Sequence, residues 1–167
     1  YADLESVAQA AKLLAQARNP IMIVGADCLH ADVSSAVTEL AHTLHIPVLN
    51  TMMAKGVIPC DDPYAMLTFG IPQKDYPDLL LAKADLLLCV GYDLVEVAPA
   101  HLNPGRDKQI IHLNTYAAHI NRSYQPNVEV VGDMSDALRR LMQFCRRECQ
   151  PEEAFALRER MLADHEA

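Results

Sequence analysis

The chain has 167 residues, 51% of them apolar and 22% charged, a globular mixture that excludes a disordered or fibrous polymer. Acidic residues outnumber basic ones by 22 to 14, and the net charge of −8 speaks against a protein that coats nucleic-acid phosphate. The length predicts one domain with a real core, and no apolar run approaches the roughly 18 to 20 residues of a membrane-spanning helix.

In chain order, Asp3 is placed to cap a helix whose Leu4, Val7, Ala8, Ala11 and Leu14 recur at helical spacing. Asn19-Pro20 stops it, and Ile21-Met22-Ile23-Val24 runs apolar at every position up to Gly25, the pattern of a strand buried on both faces. Ala36, Val37, Leu40, Ala41 and Leu44 mark a second helix closed by Ile46-Pro47, and Pro47 to Asn50 reads as the next strand. Turn residues from Ala54 to Pro63 lead into Tyr64 to Gly70, which suits a short strand or a helical turn. Pro77 opens a helix through Ala84. Asp85 to Gly91 is the clearest buried strand, followed by strands at 109–113 and 128–131. A helix capped near Asp133 or Ser135 carries Leu138, Leu141, Met142 and Cys145, and Pro151 starts a last, charged helix with a thin apolar stripe.

This alternation predicts βαβ units, and hence a Rossmann-like, doubly wound α/β fold: a mostly parallel six-stranded sheet with helices on both faces. Residues 1–150 form the domain, and 151–167 read as a terminal helix or linker. The five cysteines, Cys28, Cys60, Cys89, Cys145 and Cys149, show no CxxC spacing, so reduced thiols and a cytoplasmic location are expected. The chain opens on Tyr1 rather than Met, without a targeting pattern, and the expectation is a piece of a longer protein.

In a doubly wound sheet, ligands favour the crevice beyond the carboxyl ends of the strands. The candidate cofactor-binding residues are therefore Gly25, Ala26 and Asp27 after the first strand, and Gly91, Tyr92 and Asp93 after the central one. Asn114 and Thr115 follow the next strand, and Gly132 and Asp133 the last. Against a working nucleotide site, Gly25-Ala26-Asp27 lacks the further glycines of GxGxxG, no GxxxxGK[ST] exists, and Asp27 sets a carboxylate where a pyrophosphate would lie. Plain turns are the simpler reading. His42 and His45 share the i, i+3 spacing of a metal pair, but no third ligand is placed; His112 in its strand reads as a hydrogen-bonded core or rim residue. Asp61-Asp62 before Pro63 reads as a turn, and the charge run from Arg146 to Glu166 as a solvated helix face. No catalytic or metal-ligating constellation emerges.

Ala17-Arg18-Asn19-Pro20-Ile21-Met22-Ile23-Val24-Gly25 resembles the entry to the central domain of thiamine-diphosphate-dependent enzymes. Ile46-Pro47-Val48, Lys55-Gly56-Val57-Ile58, the Ala84 to Gly91 strand, Ile111-His112-Leu113-Asn114, Tyr124 to Val128 and Val131-Gly132-Asp133 resemble that family's later segments, in order. Gly91-Tyr92-Asp93 with Glu96, Pro99 and Asn103 is similar to the catabolic, FAD-independent acetolactate synthase branch.

The resemblance implies a parent enzyme that condenses or decarboxylates 2-oxo acids, with thiamine diphosphate and Mg²⁺ held by an N-terminal and a C-terminal domain. The latter carries a GDG…NN motif that Gly132-Asp133-Met134 does not match. It further implies a homodimeric or homotetrameric parent, and a middle domain with no catalytic residues and no cofactor of its own. Some branches hold FAD or an adenine nucleotide in the middle domain. Here Tyr92 stands where the FAD-binding synthases carry Arg, and Thr68 replaces a glycine, so the crevice is expected to be empty or vestigial. One alternative is a stand-alone FAD- or ADP-binding module using Gly25, Gly91, Asn114 and Gly132. A sirtuin-like deacylase is a further alternative, against which the lack of paired CxxC motifs counts.

Overall fold

The computed structural model describes residues 3–29, 31–51, 54, 56–59, 61–68, 76–92, 103, 105, 107–118, 120, 124–147, 151–152, 154–156 and 158–160. Helix α1 (Leu4–Gln16) precedes β1 (Pro20–Val24), a 3₁₀ turn (Ala26–Cys28) and α2 (Ala31–Leu44). Then follow β2 (Val48–Asn50), β3 (Ala65–Thr68), α3 (Tyr76–Lys83), β4 (Leu86–Val90), β5 (Gln109–Asn114), β6 (Val128–Val131) and α4 (Met134–Phe144). Residues 154–156 and 158–160 are again helical.

The six strands form one all-parallel sheet in the order β3-β2-β1-β4-β5-β6. This is the doubly wound arrangement expected from the sequence, and the strand order reverses between β1 and β4. The segment from Tyr64, ambiguous in sequence, resolves as strand β3. Every residue of β1 and β4 is buried, which is why these runs carry no polar alternation.

Because successive strand side chains point to opposite faces, the apolar runs feed two cores. Met22, Val24, Leu86, Leu88, Val90, Ile111 and Leu113 face the layer made by α1, α2 and α4. Ile21, Ile23, Leu49, Leu87, Cys89 and Ile110 face α3, Tyr92 and Tyr124. Each fully buried Leu, Ile or Val contributes about 1.5–3 kcal/mol relative to exposure. Ala154 is buried in the second core, and Phe155 packs against it.

Capping fixes where the helices begin and end. Asp3 accepts from the Glu5 amide at the start of α1, and Asp133 accepts from the Asp136 amide at the start of α4. His45 (φ 58°) takes the left-handed position after α2, and the Ile46 amide returns to the Ala41 carbonyl at 3.1 Å.

Long-range polar contacts tie the chain together at the amino ends of the strands. The Asp85 carboxylate accepts from the Arg18 and Asn19 amides at 2.8 and 2.9 Å, joining the entries to β1 and β4. Arg147 is only 9% exposed and departs from the solvated face its charge run suggests. Its Nε donates to the Leu44 carbonyl at 3.2 Å, and its Nη1 to those of Leu14 and Ala17 at 2.7 and 2.6 Å. One guanidinium thus satisfies the carbonyl ends of both α1 and α2, where a cation also suits the helix dipoles. Lys108 does the same for α3 through the carbonyls of Ala82 and Ala84.

Candidate functional site

The carboxyl ends of β1, β4, β5 and β6 bring most of the sequence-nominated residues to one edge of the sheet. At the reversal between β1 and β4 the chain leaves β1 through Gly25 and turns back over β4. The Gly25 amide donates to the Val90 carbonyl at 3.0 Å, and the Asp27 amide reaches the Gly91 carbonyl at 3.4 Å. The Cys28 thiol donates to Val90 O at 3.1 Å. The 3₁₀ turn therefore lies directly on the end of β4.

Gly91 makes that approach feasible. Its φ of +61° is left-handed, and a Cβ there would meet Cys28 Sγ at 2.8 Å and both Asp27 Cβ and Cys28 N at 3.1 Å. A conformational demand and a spatial one coincide at this glycine.

Asp27 is the charged group of the crevice. Its Oδ2 accepts from the Tyr116 hydroxyl at 3.1 Å and from Asn114 Nδ2 at 3.4 Å. The Asn114 Oδ1 in turn accepts from the Thr115 amide at 2.7 Å. Asn114 is fully buried, so its amide holds the carboxylate from below while Tyr116 holds it from the side. Tyr116 was not nominated by sequence. Its signal is its place two residues beyond β5, in the same post-strand position that nominated the others.

The remaining nominated residues separate from this group. Tyr92 is 2% exposed and packs against Tyr124, with ring centroids 5.4 Å apart, so its ring belongs to the core beneath α3. The Gly132 amide donates to the Asn114 carbonyl at 3.0 Å, and Asp133 is committed to the cap of α4. Asp93 lies outside the described residues.

A buried polar chain runs from the core to the crevice. Because a carbonyl only accepts, His112 Nε2 must carry the proton it gives to Tyr116 O at 3.0 Å. In the neutral ring Nδ1 then accepts from the Tyr124 hydroxyl at 2.8 Å. Tyr124 also hydrogen-bonds Cys89, whose thiol burial pushes up to about 12; burial raises the Tyr124 phenol as well. The Cys89 thiol and Tyr124 phenol therefore keep their protons near pH 7, and with His112 they serve as a hydrogen-bonded support under Tyr116 and Asp27.

The other histidines go to structural partners. His42 Nε2 lies 2.6 Å from Asp62 Oδ2, and His45 Nδ1 lies 2.8 Å from the Tyr64 hydroxyl. They flank the Tyr64 ring, and no group of three or more metal-ligating side chains occurs among the described residues. Asp62 also accepts from the Tyr64 amide at 2.9 Å, as the turn reading expects.

The crevice can be tested against a nucleotide on its own geometry. Diphosphate recognition at a strand end needs free backbone N–H groups and positive potential. Here the Gly25, Gly91 and Gly132 amides are bonded to the Val90, Leu113 and Asn114 carbonyls, and the Cys28 amide to that of Gly25. Among the described residues, the charged side chain in place there is Asp27. These residues do not fit a diphosphate.

Comparison with known proteins agrees with the fold and its segment order. Residues 7–141 match the family described as "Thiamine pyrophosphate enzyme, central domain". The chain is similar to an acetolactate synthase of Bacillus subtilis (strain 168), 31% identical over 136 residues, covering 80% of this chain and 24% of the relative. It is 32% identical over 142 residues to a catabolic acetolactate synthase of Raoultella terrigena, covering 84% and 24%. An acetolactate synthase large subunit of Porphyra purpurea is 25% identical over 146 residues, covering 87% and 25%. The chain spans about a quarter of the length of these curated relatives.

Proposed function

The chain belongs to the thiamine pyrophosphate enzyme central-domain family, and on that premise we propose that it is the structural middle domain of a 2-oxo acid carboligase or decarboxylase resembling acetolactate synthase. The observation that carries the proposal is the family match over residues 7–141, joined to relatives that are themselves acetolactate synthases. In this reading the parent chain places thiamine diphosphate, with Mg²⁺, between an N-terminal and a C-terminal domain. The cofactor supplies the carbanion chemistry when bound. This chain's residues orient the neighbouring domains, and 151–167 lead towards the C-terminal one.

We assign the crevice a closed, vestigial role of the FAD-independent type. What supports this is the Asp27 carboxylate fixed by Asn114 and Tyr116, together with backbone donors already committed to strand-end carbonyls. No catalytic residue is assigned to this chain. The stand-alone FAD- or ADP-binding module draws no support from the comparisons, and its residues Gly25, Gly91, Asn114 and Gly132 serve the turns and ladder described above. A cytoplasmic location and a homodimeric or homotetrameric parent complete the proposal. Among the described residues no helix is long and apolar enough to cross a membrane.

The test is the product of the uninterrupted gene, supplied with thiamine diphosphate, Mg²⁺ and pyruvate. Release of CO₂ with acetolactate formation is expected. A flanking sequence that encodes no thiamine-diphosphate-binding domain would sink the proposal.

A further inference from the structure

Beyond α4 the chain stays bound to the fold. Arg147 pins it under the ends of α1 and α2 through the carbonyls of Leu44, Leu14 and Ala17. Residues 154–156 and 158–160 are helical, and the Phe155 amide donates to the Pro151 carbonyl at 3.0 Å. The sequence from Pro151 to Arg160 opens on proline and holds no glycine or serine, a composition that suits a helix and not a flexible linker.

Three side chains dock this segment. Ala154 is 3% exposed and belongs to the core under α3, with Ile21, Leu80 and Ala84. Phe155 packs against both cores, and its ring meets that of Tyr64 edge-on at 5.2 Å. Arg158, at i+3 from Phe155, donates from Nε to the Ala65 carbonyl at 3.0 Å. One helix face thus meets two consecutive residues where β3 begins. The Val48 amide donates to the Tyr64 carbonyl at 2.8 Å, so the alternation of a parallel ladder turns the Ala65 N–H and C=O away from β2, to the outer edge of the sheet. There the N–H donates to the Asp62 carbonyl at 3.0 Å, and the C=O accepts from Arg158.

We propose that the segment from Arg147 to Arg160 is a docked strap, held by Arg147 at one end and by Phe155 and Arg158 on β3 at the other, and that it fixes the direction of the backbone at Arg160. The folded unit then extends through Arg160 and does not close at residue 150. Burial of Ala154 and Phe155 offsets the entropy of ordering the segment, and the charge-assisted bond to Ala65 sets its angle against the sheet. The strap stands on these contacts alone. Its consequence rests on the middle-domain reading: a domain joined beyond Arg160 is carried at a set angle to the sheet, where a flexible joint would let it swing.

The experiment is NMR on the 167-residue chain in a dilute alignment medium. Residual dipolar couplings of the amides at 154–156 and 158–160 are expected to fit the alignment tensor of β1, β4 and β5 at full magnitude, with ¹⁵N order parameters of about 0.85. Couplings scaled down relative to the sheet, or needing a tensor of their own, overturn the proposal. The double variant Phe155→Ala/Arg158→Met removes both holds on β3. Its couplings at 158–160 should fall by about twofold or more, while those of β1 and β4 keep their values. Couplings that stay at full size in the folded variant overturn the proposal as well, and the measurement on the unsubstituted chain decides whether or not the variant folds. Activity of the uninterrupted gene product tests the middle-domain reading separately.

Discussion

A side chain on Gly91 would place its Cβ 2.8 Å from the Sγ of Cys28. The exit from β4 and the turn after β1 are thus fitted to each other at the point where the sheet reverses its strand order. The left-handed backbone at Gly91 adds a second demand that other residues meet at a cost.

Gly91→Ala is therefore expected to destabilise the domain by about 2–4 kcal/mol, combining strain with overpacking. In urea unfolding the midpoint should fall with little change in slope. Adding Cys28→Ala should recover part of the loss by removing the 2.8 Å contact. It leaves the 3.1 Å approaches to Asp27 Cβ and Cys28 N. Full additivity of the two substitutions would contradict the fit described.

Arg147→Ala should cost about 3–5 kcal/mol, because the carbonyls of Leu14, Ala17 and Leu44 lose charge-assisted bonds in a buried setting. Arg147→Lys should recover only part of this, since an ammonium lacks the planar fork that reaches two helix ends at once. Hydrogen exchange should quicken first at the last turns of α1 and α2.

The order of the elements was readable because β1, β4 and the helices obey simple periodicities, and because Asp3 and Asp133 sit where caps belong. Gly91 stood out as a turn glycine, but its closeness to Cys28 depends on a pairing 63 positions apart in the chain, which no local pattern encodes. Arg147 was harder to see. It lies in a charged run, and only the convergence of two helix ends, more than 100 residues upstream, gives it a reason to be buried. Tyr92 was legible as a post-strand residue, yet the direction of its ring is set by packing with Tyr124.

Tyr124→Phe should destabilise by about 1–2 kcal/mol, as His112 Nδ1 loses the hydroxyl that donates to it. In the unsubstituted protein near neutral pH, ¹⁵N NMR should report His112 protonated on Nε2 and bare on Nδ1. The opposite tautomer would contradict the direction assigned to the buried chain.

The Cys89 thiol, pushed from 9.0 to about 12 by burial, stays protonated in the folded state to higher pH than in the unfolded chain. The unfolded state therefore binds fewer protons between these values, and stability falls as pH rises from 9 towards 12, by up to about 1.4 kcal/mol per pH unit from this group. Below pH 9 the contribution is fully present. Mass-mapped alkylation at pH 8 should leave Cys89 unmodified in the native protein and modify it in urea.

The central claim is that the carboxyl-end crevice serves as scaffold and does not hold a nucleotide. Calorimetric titration of the 167-residue chain with FAD, and in parallel with ADP and NAD, tests it most directly. The account predicts no saturable heat at millimolar nucleotide. Saturable binding at micromolar Kd, abolished by a substitution at Gly25 or Asn114, would contradict it.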